Sequence, residues 1–273
     1  MGKNHKQLIM KKLSIITINY NNKNGLEKTI KSVINQTFDN FEYIIIDGGS
    51  NDESVDIIKK YTNKIDFWIS EPDKGIYNAM NKGISHAHGK YLNFMNSGDI
   101  FYNNNVLKNL FAKNYSEDII TGTTIGNDDN DIRFSTEGRI TFLTLYRSTI
   151  SHQASFIKTD LLHKYPYNEN LKIVADWEFW IKALIMANCS HIFDKTIISK
   201  IDLTGISITN NVDRENERQK VLNQNIPPRI LEDYKPLLYA DSQMIEYVAK
   251  ISKTHRLHKL ASFLLRMICK LIK

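Results

Sequence analysis

From Leu13 onward the chain alternates short apolar, β-rich runs with amphipathic helical stretches, and that alternation restricts its fold more than any other feature. Residues 13–18 have the continuous apolar character of a strand covered on both faces, the pattern of a parallel sheet. Asn24 is placed to cap a helix whose apolar face is Leu26, Ile30, Val33 and Ile34. A second strand over residues 43–46 runs into the turn Asp47-Gly48-Gly49-Ser50-Asn51-Asp52, then a helix through Val55, Ile58 and Tyr61. A third strand over 65–69, a helix through Ile76, Met80, Ile84 and Ala87, and a strand over 91–95 continue the series. Repeated strand–helix units predict an α/β fold with a mostly parallel central sheet flanked by helices.

Such sheets bind ligands at the carboxyl ends of their strands. Polar residues gather there: Asn19, Tyr20 and Asn21 after the first strand, Asp47 after the second, and Asn96, Ser97 and Asp99 after the fourth. No GxGxxG follows the first strand and no GxxxxGK[ST] occurs, which argues against a dinucleotide-binding or P-loop protein. Beyond residue 115 the signals thin. Residues 119–120 and 154–157 read as strands, 174–187 as a helix with Asp176 near its start, and 211–235 as a polar stretch broken at Pro227-Pro228. The last thirty residues read as helix. His86 and His88, two apart, read as an exposed helix end sooner than as a metal pair.

Charge is unevenly placed. The net +6 resolves into +4 over residues 1–12, +7 over 250–273 and −5 over the residues between. An acidic body with basic ends is not the pattern of a nucleic-acid groove, so no nucleic-acid partner is expected. In the C-terminal segment Arg256, Lys259, Arg266, Lys270 and Lys273 fall on one helical face, with Leu257, Leu260, Ala261, Leu264, Ile268 and Leu271 opposite. That division predicts attachment to an anionic membrane surface. Residues 1–12 lack the apolar stretch of a secretory signal, Lys6 breaks the myristoylation pattern after Gly2, and no window approaches the roughly 18 apolar residues of a span. Cys189 and Cys269 are too few and too far apart for a disulfide framework. The expected location is the cytoplasm, peripheral to the inner face of the cytoplasmic membrane.

Six pieces in order carry a family resemblance: residues 13–21 (LSIITINYN), 32–38 (SVINQTF), 46–52 (IDGGSND), 81–83 (NKG), 89–92 (GKYL) and 175–178 (ADWE). Together they resemble glycosyltransferase family 2 with the Rossmann-like GT-A fold. The stretch EPDKGIYNAMNKG (71–83) and the pair His152-Gln153 are similar to its bacterial surface-polysaccharide branch. The resemblance implies a catalytic domain over 11–210, with a nucleotide-sugar half (about 11–115) and an acceptor half (about 116–210), and a helical extension over 211–273. It implies an inverting transfer from a nucleotide diphosphate donor, UDP-hexose or UDP-N-acetylhexosamine, to a saccharide hydroxyl on a polyprenyl-diphosphate carrier. Such enzymes build O-antigen, capsule or exopolysaccharide.

The same resemblance assigns roles. Asp47 would take the N–H of the uracil ring, with Tyr20 against the ring face and Asn19 nearby; Asn21, Gly48, Ser50, Lys74, Asn81, Asn96 and Ser97 would complete the donor site. Asp47 could equally cap the following helix. The usual DxD-type metal motif reads Asn96-Ser97-Gly98-Asp99, leaving Asp99 to hold Mn²⁺ or Mg²⁺, or to serve only as a turn residue. Asp176 would be the general base, its pKa raised by Trp177 and Trp180, or a carboxylate favoured by a helix N-terminus. His152, Gln153 and Trp177 would lie near the diphosphate or acceptor. A sugar nucleotidyltransferase would need a glycine-rich basic loop where Asn19-Tyr20-Asn21-Asn22 stands. A non-catalytic sugar-nucleotide or glycan-binding protein is the alternative that the altered metal motif suggests.

Overall fold

The computed structural model describes residues 11–126, 132–203, 210–240 and 242–271. Lys3, Lys6, Gly2 and Lys273 lie outside them. The chain divides into two compact units, residues 1–224 and 225–273.

The first unit is built on one sheet. Strands β1 (Leu13–Asn19), β2 (Phe41–Asp47), β3 (Phe67–Ser70) and β4 (Tyr91–Phe94) pair in parallel in the order β3-β2-β1-β4. Each consecutive crossover carries a helix: α1 (Lys23–Ile34), α2 (Ser54–Lys60) and α3 (Ile76–Ser85). The sheet is buried on both faces, as its unbroken apolar strands predict. Ile15 of β1 joins Leu26, Ile30 and Val33 of α1 in one core. Ile16 faces α3, where a Cβ on Gly83 would stand 2.6 Å from its Cγ2, so the absence of a side chain sets the helix-to-sheet distance. The cap of α1 is Asn22, whose side chain accepts from Gly25 N, rather than Asn24.

Beyond β4 the sheet becomes mixed. After β5 (Ile100–Phe101) and α4 (Val106–Phe111) comes β6 (Ile119–Gly126), which pairs antiparallel with β7 (Arg133–Phe134) and β8 (Ser155–Lys158), and β8 in turn pairs antiparallel with β4. Strand β9 (His191–Ile201) runs parallel to β6 and antiparallel to β5. Parallel pairing is thus confined to the first half and to β6–β9. Helices α5 (Phe142–Arg147), α6 (Thr159–Lys164) and α7 (Ala175–Trp180) fill this half. A π-helical stretch, Ile181–Met186, prolongs α7, with Ala187 N donating to Lys182 O at 2.9 Å. Helix α8 (Asn211–Asn225) follows β9, and all but its last residue belongs to the first unit.

The second unit holds α9 (Pro228–Tyr234), α10 (Ser242–Ser252) and α11 (His255–Leu271). Among the described residues no helix is long and apolar enough to cross a membrane. On α11, Leu257, Leu260, Leu264 and Ile268 are all exposed.

Candidate active site

Parallel pairing aligns Asn19 with Asp47 at the carboxyl ends of β1 and β2. Asn19 Nδ2 donates to Asp47 Oδ1 at 2.7 Å. Ser50 adds its N–H (2.9 Å to Oδ2) and its hydroxyl (2.6 Å to Oδ1), and Ser70 Oγ donates to Oδ2 at 2.6 Å. Burial alone would raise this carboxyl, but the donors outweigh it and hold Asp47 below the usual carboxylate range. Its exposure is 0%. The residue expected to touch the base is therefore enclosed: it fastens three strand ends and presents nothing to solvent. Ser50 and Asn21 act in the same web, since Ser50 Oγ accepts from Asn21 N at 2.8 Å and Asn21 Oδ1 accepts from Asn51 N at 2.9 Å.

Other expected donor residues divide. Tyr20 presents its ring with 68% exposure, beside the buried Gly48. Lys74 is exposed in the loop before α3. Ser97 turns away and donates to Asn22 O at 3.2 Å. Asn81 is occupied by the loop after α6: Nδ2 donates to Tyr167 O and Glu169 Oε1, both at 2.9 Å, and Oδ1 accepts from Tyr167 N. His86 stacks on Phe67, and His88 hydrogen-bonds Glu42.

The second cluster joins residues far apart in sequence. His152 sits in a short 3₁₀ turn before β8, and its Nδ1 lies 3.1 Å from Asp176 Oδ2. Its Nε2 lies 3.1 Å from Asn96 Nδ2, which is a donor. Both neighbours are satisfied when the ring is neutral with its proton on Nδ1. Asp176 Oδ1 accepts from Trp177 N at 2.8 Å and lies 3.1 Å from Tyr77 Oη, whose single proton is shared between it and Ile173 O at 2.7 Å. Burial, joined by the nearby Asp176 charge, pushes the Tyr77 phenol well above its ordinary range, so it stays a donor. Oδ1 thus carries two donors and Oδ2 one, leaving Oδ2 the freer lone pair.

Helix α8 braces this helix. Glu217 accepts from the N–H groups of Lys172 (2.7 Å), Ile173 (2.9 Å) and Val174 (3.2 Å), the three residues that lead into α7. Arg218 lies 4.1 Å over the Trp177 ring and donates to Leu145 O and Tyr146 O. Trp177 is buried, with Nε1 donating to Leu145 O at 2.8 Å. It is a core residue that seats Asp176, and the acceptor contact expected of it is not available. Tyr77, Glu217 and Arg218 carry no local signature; only their partners reveal them.

At the end of β4, Asp99 is 5% exposed, its Oδ1 accepting from Asp202 N at 3.1 Å and its Oδ2 from Gln153 Nε2 at 3.0 Å. Burial pushes its carboxyl up to about 6. Nearby, the buried Asn96 Oδ1 has no hydrogen-bond partner. Asp99 and Asn96 are oxygen donors of the kind that suits a hard divalent cation. Among the described residues no group of three or more His, Cys, Asp or Glu could hold one unaided.

A fold with strand ends of this kind is that of the GT-A nucleotide-sugar transferases, and the comparisons agree. The glycosyl transferase family 2 model matches residues 14–168. An uncharacterised glycosyltransferase of Mycobacterium tuberculosis is 32% identical over 201 residues, covering 71% of this chain and 76% of that protein. The crystal structure of residues 1–349 of S. aureus TarS with UDP-GlcNAc superposes with a TM-score of 0.63 at 18% identity, covering 90% of this chain and 72% of that one. The mannosyltransferase PcManGT of Pyrobaculum calidifontis, with GDP-Man and Mn²⁺, gives 0.59 at 12% identity, covering 95% and 81%. The chain belongs to glycosyltransferase family 2 and is a transferase.

Proposed function

We propose that the protein is an inverting glycosyltransferase that uses a UDP-hexose or UDP-N-acetylhexosamine and a saccharide hydroxyl on a polyprenyl-diphosphate carrier, in bacterial surface-polysaccharide synthesis. The observation that carries this is Asp176: a carboxylate fixed by Tyr77, His152 and a backbone N–H, beside the end of β4, with one lone pair left on Oδ2. That atom accepts the acceptor's hydroxyl proton as the oxygen attacks the anomeric carbon. His152 holds the carboxylate's orientation, and Asn96 holds His152. Asp99 and Asn96, with the donor's own phosphate oxygens, would hold Mg²⁺ or Mn²⁺, which would neutralise charge on the departing diphosphate. The exposed apolar face of α11, with Arg256, Lys259, Arg266 and Lys270 opposite, supports work at an anionic membrane surface.

The test is Asp176→Asn. It keeps the Tyr77 contact and removes the base, so turnover falls by about 10² or more while UDP affinity changes little. Near-normal turnover in this variant removes Asp176 from the mechanism.

A further inference from the structure

His152 and Asp176 form one pair although they stand 24 residues apart in sequence, and one turn of α8 grips the segments that carry them. Glu217 serves the Asp176 side. Its Oε1 accepts from Lys172 N at 2.7 Å, and its Oε2 from Ile173 N at 2.9 Å and Val174 N at 3.2 Å. Val174 is the cap of α7, two residues before Asp176. A carboxylate fits a cluster of N–H groups because it offers acceptors on both oxygens, where an amide would bring donors of its own.

Arg218, the next residue, serves the His152 side. Its Nη2 donates to Tyr146 O at 2.9 Å and Leu145 O at 3.2 Å, carbonyls of the last turn of α5. Its guanidinium lies 4.1 Å over the Trp177 ring. From there to His152 the backbone is tied to α7: Trp177 Nε1 donates to Leu145 O at 2.8 Å and Ser148 O at 3.1 Å, and Trp180 Nε1 to Ile150 O at 3.2 Å. The Arg218 side chain is 13% exposed, and its ion pair with Glu215 is loose at 3.9 Å. An enclosed guanidinium is unfavourable unless its N–H groups are used, and here two of them go to these carbonyls.

We propose that Glu217 and Arg218 are positioning residues of the transfer, which together hold Asp176 in register with His152. The proposal rests on Asp176 as the general base and deepens that reading. Neighbouring helical residues point about 100° apart, so one turn of α8 can hold two segments at once. Neither residue touches the reacting atoms. They act through the 3.1 Å contact between His152 Nδ1 and Asp176 Oδ2. A displacement of about 1 Å at such a contact can slow a reaction by about 10².

The experiment follows hydrolysis of UDP-glucose, UDP-galactose and their N-acetyl forms by the full chain, with water in the acceptor's place. It compares wild type, Glu217→Gln, Arg218→Lys and Asp176→Asn, and each of the first two substitutions combined with Asp176→Asn. Gln brings an amino group to the cluster of N–H groups, and Lys keeps the charge but not the planar fork over Trp177. Each single variant at 217 or 218 should stay folded, bind UDP within about twofold of wild type, and hydrolyse the best donor about tenfold to a hundredfold more slowly. In the Asp176→Asn background the same substitutions should change the rate by no more than about twofold, because the base they position is gone. A residue that merely supports the fold lowers the rate by the same factor in both backgrounds, and that result overturns the proposal. A wild-type rate in either folded variant overturns it for that residue. Unfolding of both variants makes the pair structural and overturns it as well. Near-normal hydrolysis by Asp176→Asn alone overturns the base reading, and absence of hydrolysis by wild type overturns the donor reading; this inference falls with either.

Discussion

At the scale of single residues, the site sets two acids against opposite environments. Asp47 and Asp99 are both buried, yet donors crowd Asp47 and pull its carboxyl down, while Asp99 meets fewer donors and burial raises it to about 6. The sign for Asp99 follows from linkage: a carboxyl whose folded value lies above its unfolded 3.8 opposes folding wherever it is ionised. The penalty is complete above about pH 6 and fades as pH falls toward 4. Asp99→Asn removes the charge, and Gln153 can turn its amide to keep the hydrogen bond. In EDTA at pH 7.5 this variant should be more stable than wild type by about 2 kcal/mol, with the gain vanishing near pH 4. On the role proposed for Asp99 beside the departing diphosphate, turnover should fall. Denaturant titrations at the two pH values measure the first effect, and a stability unchanged at pH 7.5 would show that burial does not raise the Asp99 carboxyl in the folded chain.

At the scale of elements, close approach of backbones fixes where the strand ends point. Gly89 precedes β4, and a Cβ there would stand 2.5 Å from both Leu13 C and Ser14 N of β1. Its N–H also donates to Ser14 Oγ at 2.8 Å and Glu42 Oε1 at 3.0 Å. Backbone of a buried parallel strand cannot retreat as a flexible side chain would. Gly89→Ala should therefore cost about 3 kcal/mol, the upper part of the range for overpacking, and lower the thermal midpoint. A midpoint within a degree of wild type would show that β1 and β4 can separate at that point. Helix α7 has a comparable dependence on one partner, since the three residues leading into it, Lys172, Ile173 and Val174, donate their N–H groups to Glu217 of α8.

At the scale of the whole molecule, charge and apolar surface are segregated. No acid lies in residues 250–273, and the apolar face of α11 is exposed. Each Lys or Arg near an anionic surface contributes about 1 kcal/mol, so in the proposed membrane attachment the four described cations of α11 would supply a salt-sensitive part and its apolar face the rest. The full chain should bind phosphatidylglycerol vesicles at low salt and release them at high salt. Replacing Leu260, Leu264 and Ile268 together by Ser should abolish vesicle binding and leave donor hydrolysis unchanged. Wild-type protein that ignores such vesicles would remove the membrane from the proposal.

What the sequence determined by itself is whatever neighbouring residues express together. Strand and helix periods along 13–95 foretold β1 to β4 and α1 to α3, and the apolar spacing of 257–271 foretold an amphipathic helix. These are properties of a few consecutive residues, so the chain shows them directly. Where a side chain is spent is different. Asp47 has the sequence position of a ligand contact, yet its burial depends on Ser70 arriving from another strand. Asp73 packs its Oδ2 over Gly48, 25 positions earlier, where a Cβ would stand 3.0 Å from it. Tyr77 meets Asp176 across 99 residues, and Glu217 caps a helix begun more than forty residues before it. Hydrogen bonds and pKa values depend on the atoms within a few ångströms. Only the tertiary structure decides which atoms those are.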